Sequence, residues 1–518
     1  MVGKLSMNLT GHSKEKTIVL ITSLAVRLVI GLIFFGSIDT MNSIGCSLTI
    51  FSGHIVTDIP YFPVVPVFIW LGGIFNVISP LPLTLCYKII PILFDCLLTL
   101  LIYDIVSKRS PDSAFKAALL YALSPVAIIV NCLHGQWDSI FIFFVVFAFY
   151  VRDFYGNSKK KFFLFGVLFG FSFMVKPISL MLFPLFIEPW INLKKSDLKK
   201  YLINQLFSIF GLLAIVTACF GLFILFGYDL KEMLQRILSY SNSGVQILGL
   251  PFAYPFSQFA FLKQRFWIVG VLILASSFYY LRTIESFEII LFSLAFSIGV
   301  SGLSPQYLIW LIPLLLIMKH YRFSALYSFV VTLFYLIYYI SPFASCTKWE
   351  NMTTFAALKG FGWLMPPSVL SGKGLLPVIH LLGNYIVPFI ALFIALYLLT
   401  RAIIALWKPE KYDVYQKIKR SRLVIFKDNY ILFNIILWTL IAIIFLASRG
   451  MHMFDNLTDA YNSKLTWYNL KRLDAVYYTG TYGSISFINI TFILFLLSAW
   501  WSLKAYSMSI VGKVKEVK

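Results

Sequence analysis

Charged residues are scarce in this 518-residue chain, and acidic residues are the scarcest of them. Only 13% of the residues are charged, with 22 Asp and Glu against 43 Lys and Arg, whereas a soluble domain has about a quarter. Hydrophobic residues make up 59% of the chain, and their continuous runs repeatedly reach the ~20 residues that cross a bilayer as a helix. The composition therefore excludes an ordinary soluble domain and predicts an all-α polytopic membrane protein.

The sequence also lacks the short motifs of several enzyme and binding classes. It has no glycine-rich phosphate loop with lysine, no HExxH, no GxSxG and no DxD pair. Its six cysteines form no CxxC and no Cys/His metal spacing, so we predict buried thiols and no metal site, with a disulfide as the alternative that the spacing does not support. The net charge of +21 is interpreted as cytoplasmic loops that follow the positive-inside rule rather than as a nucleic-acid surface.

Basic residues alternate between loops in a way that predicts the topology. Both chain ends lie inside, and the usual length and charge criteria give roughly 12–14 transmembrane helices. The apolar run 64–78 is broken by a proline and two glycines, and counting it as a span would leave Lys108 and Arg109 outside. We therefore predict that it is a re-entrant or interfacial helix within the first external loop.

This topology places the polar clusters that are hardest to explain as ordinary loops on the external side. The clusters are Asp39 with Asp58, residues 134–138, Lys176 with Pro177, residues 304–307, and Ser448 with Arg449. Inside loops hold mainly Lys and Arg, as topology alone requires. The external face is therefore where we expect any chemistry.

Asp39 follows the first apolar segment by a short step. A solvated carboxylate at a helix end is common, but a negative charge there is slightly unfavourable because the macrodipole is negative at its C-terminal end. Such a carboxylate can remove a proton from an attacking hydroxyl, so Asp39 is a candidate catalytic base. Asp58, which stands before Pro60 and Tyr61, is interpreted as a loop-shaping or acceptor-side residue.

Residues 134–138 form a polar turn, His-Gly-Gln-Trp-Asp, between two predicted membrane helices. In one interpretation Trp137 lies at the headgroup level and Asp138 N-caps the next helix. In the functional alternative, Gln136 and Trp137 hold a sugar ring by hydrogen bonds and stacking, and Asp138 orients a hydroxyl. A cap does not exclude a site, so both interpretations stay open, and His134 belongs to the same candidate site.

Lys176 interrupts a continuous apolar region, and the proline after it predicts a break near the external interface. A lysine at membrane depth is costly and is a functional candidate by default, although snorkelling to the interface also explains it. The functional interpretation is a phosphate partner, with Arg449 as a second external cation of this kind. Elsewhere, Arg27 stands mid-helix without a local acid, and Lys88 with Asp95 is interpreted as a structural buried pair.

Taken in chain order, these residues resemble the GT-C superfamily of integral-membrane glycosyltransferases, which use polyprenyl-phosphate-linked sugars. The matching positions are Asp39, Tyr61-Phe62-Pro63, Gly135-Gln136-Trp137-Asp138, Lys176-Pro177 and Pro305-Gln306-Tyr307. The Gly-Gln-x-Asp turn is the most specific of them and is similar to mannosyltransferase-like members. The resemblance covers residues 1–320, predicted to be a catalytic membrane module. Residues 321–518 are predicted to be a variable membrane module with external loops 342–374 and 450–483.

The resemblance implies transfer of a hexose, mannose or glucose, with inversion. Asp39 is then the base for the acceptor hydroxyl, Asp138 a second catalytic residue, and Lys176 with Arg449 the cations that neutralise the leaving phosphate. A metal is not required, and no cofactor is expected besides the donor. The remaining substrate-binding positions are Asp58, Tyr61, His134, Gln136, Trp137, Gln306 and Tyr307.

The expected partners are a polyprenyl-phosphate sugar, a lipid-linked glycan, glycolipid or protein acceptor, and membrane lipids, but no nucleic acid. A bacterial inner membrane is the favoured location, with the endoplasmic reticulum as the alternative. A lipid-linked oligosaccharide transporter and an O-antigen-type polymerase or ligase are the rival functions. A transporter predicts ionisable residues along a path through the membrane, whereas here they gather on one face, with Arg27, Lys88 and Asp95 as exceptions.

Overall fold

The computed structural model describes residues 2–33, 65–79, 81, 83–156, 158–187, 195–225, 231, 285–300, 305–340 and 381–407. Every regular element in these ranges is helical, which confirms the predicted all-α class. The candidate residues Asp39, Asp58, Tyr61 and Arg449 lie outside these ranges, as do the predicted loops 342–374 and 450–483. The division at residue 320 therefore stays a prediction.

The α-helices of the described residues are numbered here in chain order. They are α1 (Val2–Ile33), α2 (Val65–Ile78), α3 (Leu83–Arg109), α4 (Pro111–Ala122), α5 (Pro125–Ile128), α6 (Asp138–Phe154), α7 (Lys159–Val175), α8 (Lys195–Leu225), α9 (Ser286–Val300), α10 (Leu311–Ile317), α11 (Tyr321–Ile340) and α12 (Val387–Trp407). Shorter elements adjoin them, namely π-helical turns at Ile129–His134 and Leu381–Ile386 and 3₁₀ segments at Pro177–Phe186 and Pro305–Trp310. The candidate site residues that are described lie in or directly beside the first π-turn, the start of α6 and the two 3₁₀ segments.

Three helical stretches of the described chain are long and apolar enough to cross a membrane: Leu85–Arg109, Asp197–Leu222 and Leu381–Ile404. Pro111–Ala122 and Pro125–Cys132, which meet at 43°, make a fourth if they are counted as one broken span. These stretches confirm a polytopic membrane protein, and the total of roughly 12–14 helices stays a prediction. The run predicted at 64–78 forms the 14-residue α2, which is shorter than a span.

The bend between α4 and α5 follows from Pro125. Proline has no N–H to donate and disfavours a helical backbone in the residue before it, and Ser124 is accordingly extended, with φ −65° and ψ 117°. At the end of α4, the carbonyl of Ala122 accepts a hydrogen bond of 2.7 Å from Arg27 of α1. The bent helix then leads through the π-turn to the polar turn before α6.

Helix α3 packs against α1, α2, α4 and α6 and is the centre of this bundle. Its fully buried Asp95 accepts hydrogen bonds from Arg27 Nε of α1 and from Tyr121 Oη of α4, each at 2.5 Å. The ion pair of Asp95 is therefore with Arg27, not with Lys88 as predicted, because the bundle brings α1 beside α3. Lys88 Nζ instead lies 3.4 Å from the carbonyl of Gly31 in the last turn of α1.

Helices α7 and α8 form a tight pair whose backbones touch at glycines. A Cβ added to Gly166 of α7 would lie 1.9 Å from the Ser208 carbonyl oxygen, and one added to Gly211 of α8 would lie 2.1 Å from the Phe163 carbonyl oxygen. Small residues at such contacts let membrane helices approach closely. This packing fixes α7, and with it the start of the segment that carries Lys176.

Candidate active site

The polar turn before α6 closes on a left-handed glycine. Gly135 has φ 74° and ψ 36°, a conformation that glycine adopts without steric cost, and the N–H of Gln136 donates to the Val130 carbonyl at 3.1 Å. Trp137 occupies the N-cap position of α6, and Asp138 is its first helical residue. The interpretation of Asp138 as the N-cap is therefore wrong.

Lys176 stands at a break in the chain, as predicted. Helix α7 ends at Val175, Lys176 is extended (φ −148°, ψ 123°), and the 3₁₀ segment begins at Pro177. Its Nζ donates to both carboxylate oxygens of Asp138, at 2.8 and 2.9 Å. The Asp138 side chain is 0% exposed and that of Lys176 is 15% exposed, so the part of this ion pair that solvent reaches belongs to Lys176.

Two aromatic residues of the Pro305–Trp310 segment complete the cluster. The indole Nε1–H of Trp310 donates to Asp138 Oδ1 at 2.8 Å, and the rings of Tyr307 and Trp310 stack with centroids 4.4 Å apart. The Lys176 ammonium lies 4.6 Å from the Tyr307 ring centroid and 5.7 Å from that of Trp310. Both distances are within the range of cation–π attraction. The two rings and the Asp138 carboxylate therefore all contribute to fixing the position of the ammonium.

Trp310 is a site residue that sequence reasoning missed. The predicted motif stopped at Tyr307, but in a 3₁₀ helix residues three apart lie on the same side. Trp310 is three residues after Tyr307, so the helical spacing was a usable signal. Gln306, which also belongs to this motif, is half-buried.

The other predicted residues of the polar turn are placed differently from Lys176 and Asp138. The Trp137 ring is 5% exposed and stacks on Phe68 of α2, with centroids 5.8 Å apart and planes at 13°. A sugar that stacked on that face would have to displace Phe68. Gln136 is buried, and the backbone of His134 ends the π-turn. The sugar-binding roles of these residues stay predictions.

The neighbour of Asp138 ties the start of α6 to the centre of the bundle. Ser139 Oγ donates to the carbonyl of Pro91 in α3 at 3.1 Å, one turn from Asp95. Asp138 is thus fixed by its own helix and by α3, so its carboxylate is a rigid acceptor for Lys176.

The geometry brings together Asp138, Lys176 and Tyr307 from three separate sequence motifs, and it adds Trp310. A lysine ammonium has three donors, and Asp138 accepts two hydrogen bonds from it. Within the described residues the third N–H of the ammonium has no acceptor, so it is the donor that an anion or a hydroxyl would use. In the part of the chain that is described, no three His, Cys, Asp or Glu side chains are grouped so that they would hold a metal ion.

Comparisons with known proteins support one family. No curated protein and no solved structure matches the chain. The match that was found includes α2 to α8, and with them Asp138 and Lys176, but not Asp39 or the Pro305–Trp310 segment. Residues 63–224 match the family model of dolichyl-phosphate-mannose-protein mannosyltransferases, so this part of the chain is similar to membrane glycosyltransferases of the GT-C type.

Proposed function

We propose that this glycosyltransferase moves a hexose, mannose or glucose, from a polyprenyl-phosphate-linked donor to an acceptor hydroxyl on the non-cytoplasmic face of a membrane. The family matched by residues 63–224 is named for a donor of this class, dolichyl-phosphate mannose, and for the transfer of mannose. The observation that carries the proposal is the exposed edge of Lys176, held by Asp138 beneath the Tyr307 and Trp310 rings. It is a fixed cation at a break between membrane helices.

A cation is what this reaction needs at its leaving group. The donor is a phosphodiester with one negative charge, and the departing polyprenyl phosphate is a monoester that gains a second. A positive group fixed where charge develops stabilises the transition state more than the ground state. Asp138 balances the charge of Lys176 before the donor binds, so the pair is stable without substrate, and in this proposal the remaining N–H of the ammonium binds the phosphate.

In the proposed step the acceptor oxygen attacks the anomeric carbon from the face opposite the phosphate. The new carbon–oxygen bond forms as the anomeric carbon–phosphate oxygen bond breaks, so the configuration inverts. The acceptor proton passes to the carboxylate of Asp39, and the bonding pair leaves with the phosphate. Asp138 is 0% exposed, so we propose that it acts through Lys176 as a positioning residue.

The buried ionisable residues favour an enzyme over a transporter. A transport path predicts ionisable groups that line it, but Arg27, Lys88 and Asp95 are all fully buried in this structure. Arg27 and Asp95 bond to each other and to α4, which is the pattern of a structural connection. A polymerase or ligase would share the same donor chemistry, so the acceptor product distinguishes it.

The test is transfer of radiolabelled mannose or glucose from undecaprenyl- and dolichyl-phosphate donors to membrane lipid extracts by the purified protein. We expect the wild type to label a lipid or glycan acceptor, and Asp39→Asn to abolish labelling at unchanged expression. Asp104→Asn is the matched control, because it removes a carboxylate paired with Lys16 near the chain's start; it should keep activity. Wild-type transfer by Asp39→Asn would exclude Asp39 as the base.

The same assay tests the phosphate role of Lys176. We expect Lys176→Ala to raise the KM for the donor and lower kcat, with little change in the KM for the acceptor. A defect confined to the acceptor would reject the phosphate role. The polyprenol preferred in the donor series indicates the membrane: undecaprenol points to the bacterial inner membrane, which we favour, and dolichol to the endoplasmic reticulum.

A further inference from the structure

The segment that follows Lys176 has an unusual conformation. Residues Pro177–Phe186 form a ten-residue 3₁₀ helix, whereas 3₁₀ runs longer than about four residues are uncommon. At its start, the carbonyl of Lys176 accepts hydrogen bonds from both the N–H and the Oγ of Ser179, at 3.3 and 3.1 Å. The segment therefore begins directly at the site and is anchored there by Ser179. The contacts at its other end then decide whether it keeps this conformation.

The far end of the segment is held by Arg152, near the end of α6. Arg152 Nη1 donates to the Leu185 carbonyl at 2.5 Å, and Nη2 donates to Ser286 Oγ, at the start of α9, at 2.8 Å. The side chain is 1% exposed, and its guanidinium lies 4.4 Å from the Phe149 ring centroid. One planar fork thus joins α6, the 3₁₀ segment and α9, a contact for which arginine is suited and lysine is not.

Helix α6 and the 3₁₀ segment are consequently joined at both ends. Asp138 bonds to Lys176 at one end, and Arg152 bonds to Leu185 at the other. The fourteen residues from Asp138 to Arg152 rise about 21 Å as an α-helix. The nine residues from Lys176 to Leu185 rise about 18 Å as a 3₁₀ helix but would rise only about 14 Å as an α-helix. The 3₁₀ rise therefore matches the length of α6 between the two bonds more closely than an α-helical rise would.

We infer that Arg152 is a positioning residue for the Lys176–Asp138 pair: by holding Leu185, it keeps the 3₁₀ segment stretched and fixes the depth of Lys176 beside the carboxylate. Without the Arg152 bond, Leu185 is no longer held, so the segment is free to change its length or shift along its axis, and Lys176 would be drawn away from Asp138. The consequence for donor use rests on the proposed function. The coupling between the two ends does not.

A purely structural Arg152 would stabilise the fold without affecting this particular pair. The two roles differ in how Arg152 interacts with the Asp138–Lys176 bond. The interaction energy of two residues is measured by a double-mutant cycle, and residues that do not share partners add independently. If Arg152 acts through the 3₁₀ segment, its removal must reduce the interaction energy of a pair that it does not touch.

The experiment measures that interaction in the full-length protein in detergent, without substrate. Apparent unfolding temperatures are read with a thiol-reactive dye, since the described cysteines are buried and unpaired. The cycle consists of wild type, Asp138→Asn, Lys176→Met and the double variant, and it is repeated in the background of Arg152→Met. We expect non-additivity in the first cycle and a loss of more than half of it in the second. An unchanged non-additivity would overturn the inference.

Arg401→Met is the matched control. Arg401 is a buried arginine that bonds to Glu288 of α9 at 2.7 Å, so its loss also breaks a buried contact of α9. It should lower the unfolding temperature and leave the Asp138–Lys176 non-additivity unchanged. An equal loss in this background would show general loosening and reject the inference.

A milder variant covers the case in which Arg152→Met does not fold. Arg152→Lys keeps the charge but does not present two terminal nitrogens to Leu185 and Ser286, so the same cycle should again lose most of its non-additivity. Because no donor is used, this inference and the proposed reaction can fail separately. Transfer activity with an unaffected cycle would reject only the inference, and inactivity with an affected cycle would reject only the reaction.

Discussion

Lys176 and Asp138 are 38 residues apart in the chain and meet through two hydrogen bonds, at 2.8 and 2.9 Å. One follows the end of α7, and the other begins α6. Each residue is costly alone: a buried carboxylate needs a partner, and a lysine at membrane depth needs one as well. Pairing removes most of that cost and leaves the Lys176 side chain partly exposed, at 15%, beside a fully buried carboxylate.

Asp138→Asn should weaken the interaction that fixes the position of the Lys176 ammonium. An amide is nearly the same size but carries no charge, so Lys176 is no longer held at one depth. Since misplacing a catalytic group by about 1 Å costs about 100-fold, we expect a loss of that order in kcat/KM for the donor. Steady-state transfer kinetics with the preferred polyprenyl donor measure it. Kinetics equal to those of the wild type would exclude a positioning role for Asp138.

Trp310→Phe should destabilise the cluster although the ring is retained. The substitution removes the Nε1–H donor to Asp138 but keeps an aromatic face against Tyr307. Hydrogen bonds to charged groups contribute about 1.5–3 kcal/mol, and we expect a loss of unfolding free energy in that range. A lower unfolding temperature than that of the wild type, recorded without substrate, would report this loss of stability.

Trp310→Leu is the graded comparison for that measurement. It removes both the donor and the ring that packs on Tyr307 and Phe141, so its loss should exceed that of Trp310→Phe. Equal losses for the two would mean that the indole N–H contributes everything and the stacking nothing. No loss for either would contradict the cluster described here.

The parts of the site that were predictable are those in which the chain violates a local rule. Lys176 stood out because a charge in an apolar region has no local explanation, and Asp138 because its turn is more polar than a turn between membrane helices requires. Arg27 stood out equally, but its partner Asp95 lies 68 residues away on α3, and sequence spacing favoured Lys88 on the same helix. Pairing across helices depends on how the bundle packs, which a hydropathy pattern does not contain.

Breaks in helices were predictable more accurately than contacts between helices, because a break depends on neighbouring residues in the sequence and a contact depends on how the bundle packs. The break at Lys176 was expected from the proline that follows it, because proline acts on its own neighbours. The stacking of Trp137 on Phe68 was not expected, since it depends on where the separate helix α2 lies. The candidate base Asp39 lies outside the described residues, and its role is a matter for the transfer assay.

Removing one partner of the Arg27–Asp95 pair should be more damaging than removing both. Asp95→Leu leaves a fully buried guanidinium without its carboxylate, a change that costs about 3–5 kcal/mol. The double variant Arg27→Met with Asp95→Leu should recover part of that loss, because an apolar pair leaves no buried charge. It should not recover all of it, since Ala122 and Tyr121 also lose a partner.

Folded yield and unfolding temperature in detergent check this order. The contradicting result is a double variant that is less stable than Asp95→Leu alone. That would mean that Arg27 stabilises the bend at Ala122 more than it stabilises Asp95. Either way, transfer activity per folded molecule should stay near that of the wild type, because the pair does not touch the Lys176 cluster.

The glycine contact between α7 and α8 gives the last prediction, which concerns the scaffold that fixes Lys176. Gly166→Ala places a methyl group where only 1.9 Å separates it from the Ser208 carbonyl oxygen, and a backbone atom does not move aside as a side chain does. Overpacking of this kind costs about 1–3 kcal/mol, so we expect a lower unfolding temperature. Because α7 carries Lys176 at its end, we also expect a higher KM for the donor.

Gly221→Ala is the control in α8, since a Cβ there meets nothing within 4 Å. Alanine at this position should leave stability unchanged or raise it by up to about 1 kcal/mol through helix propensity. If both alanine variants behave alike, the two helices are not in backbone contact at Gly166, and the packing that positions Lys176 must lie elsewhere.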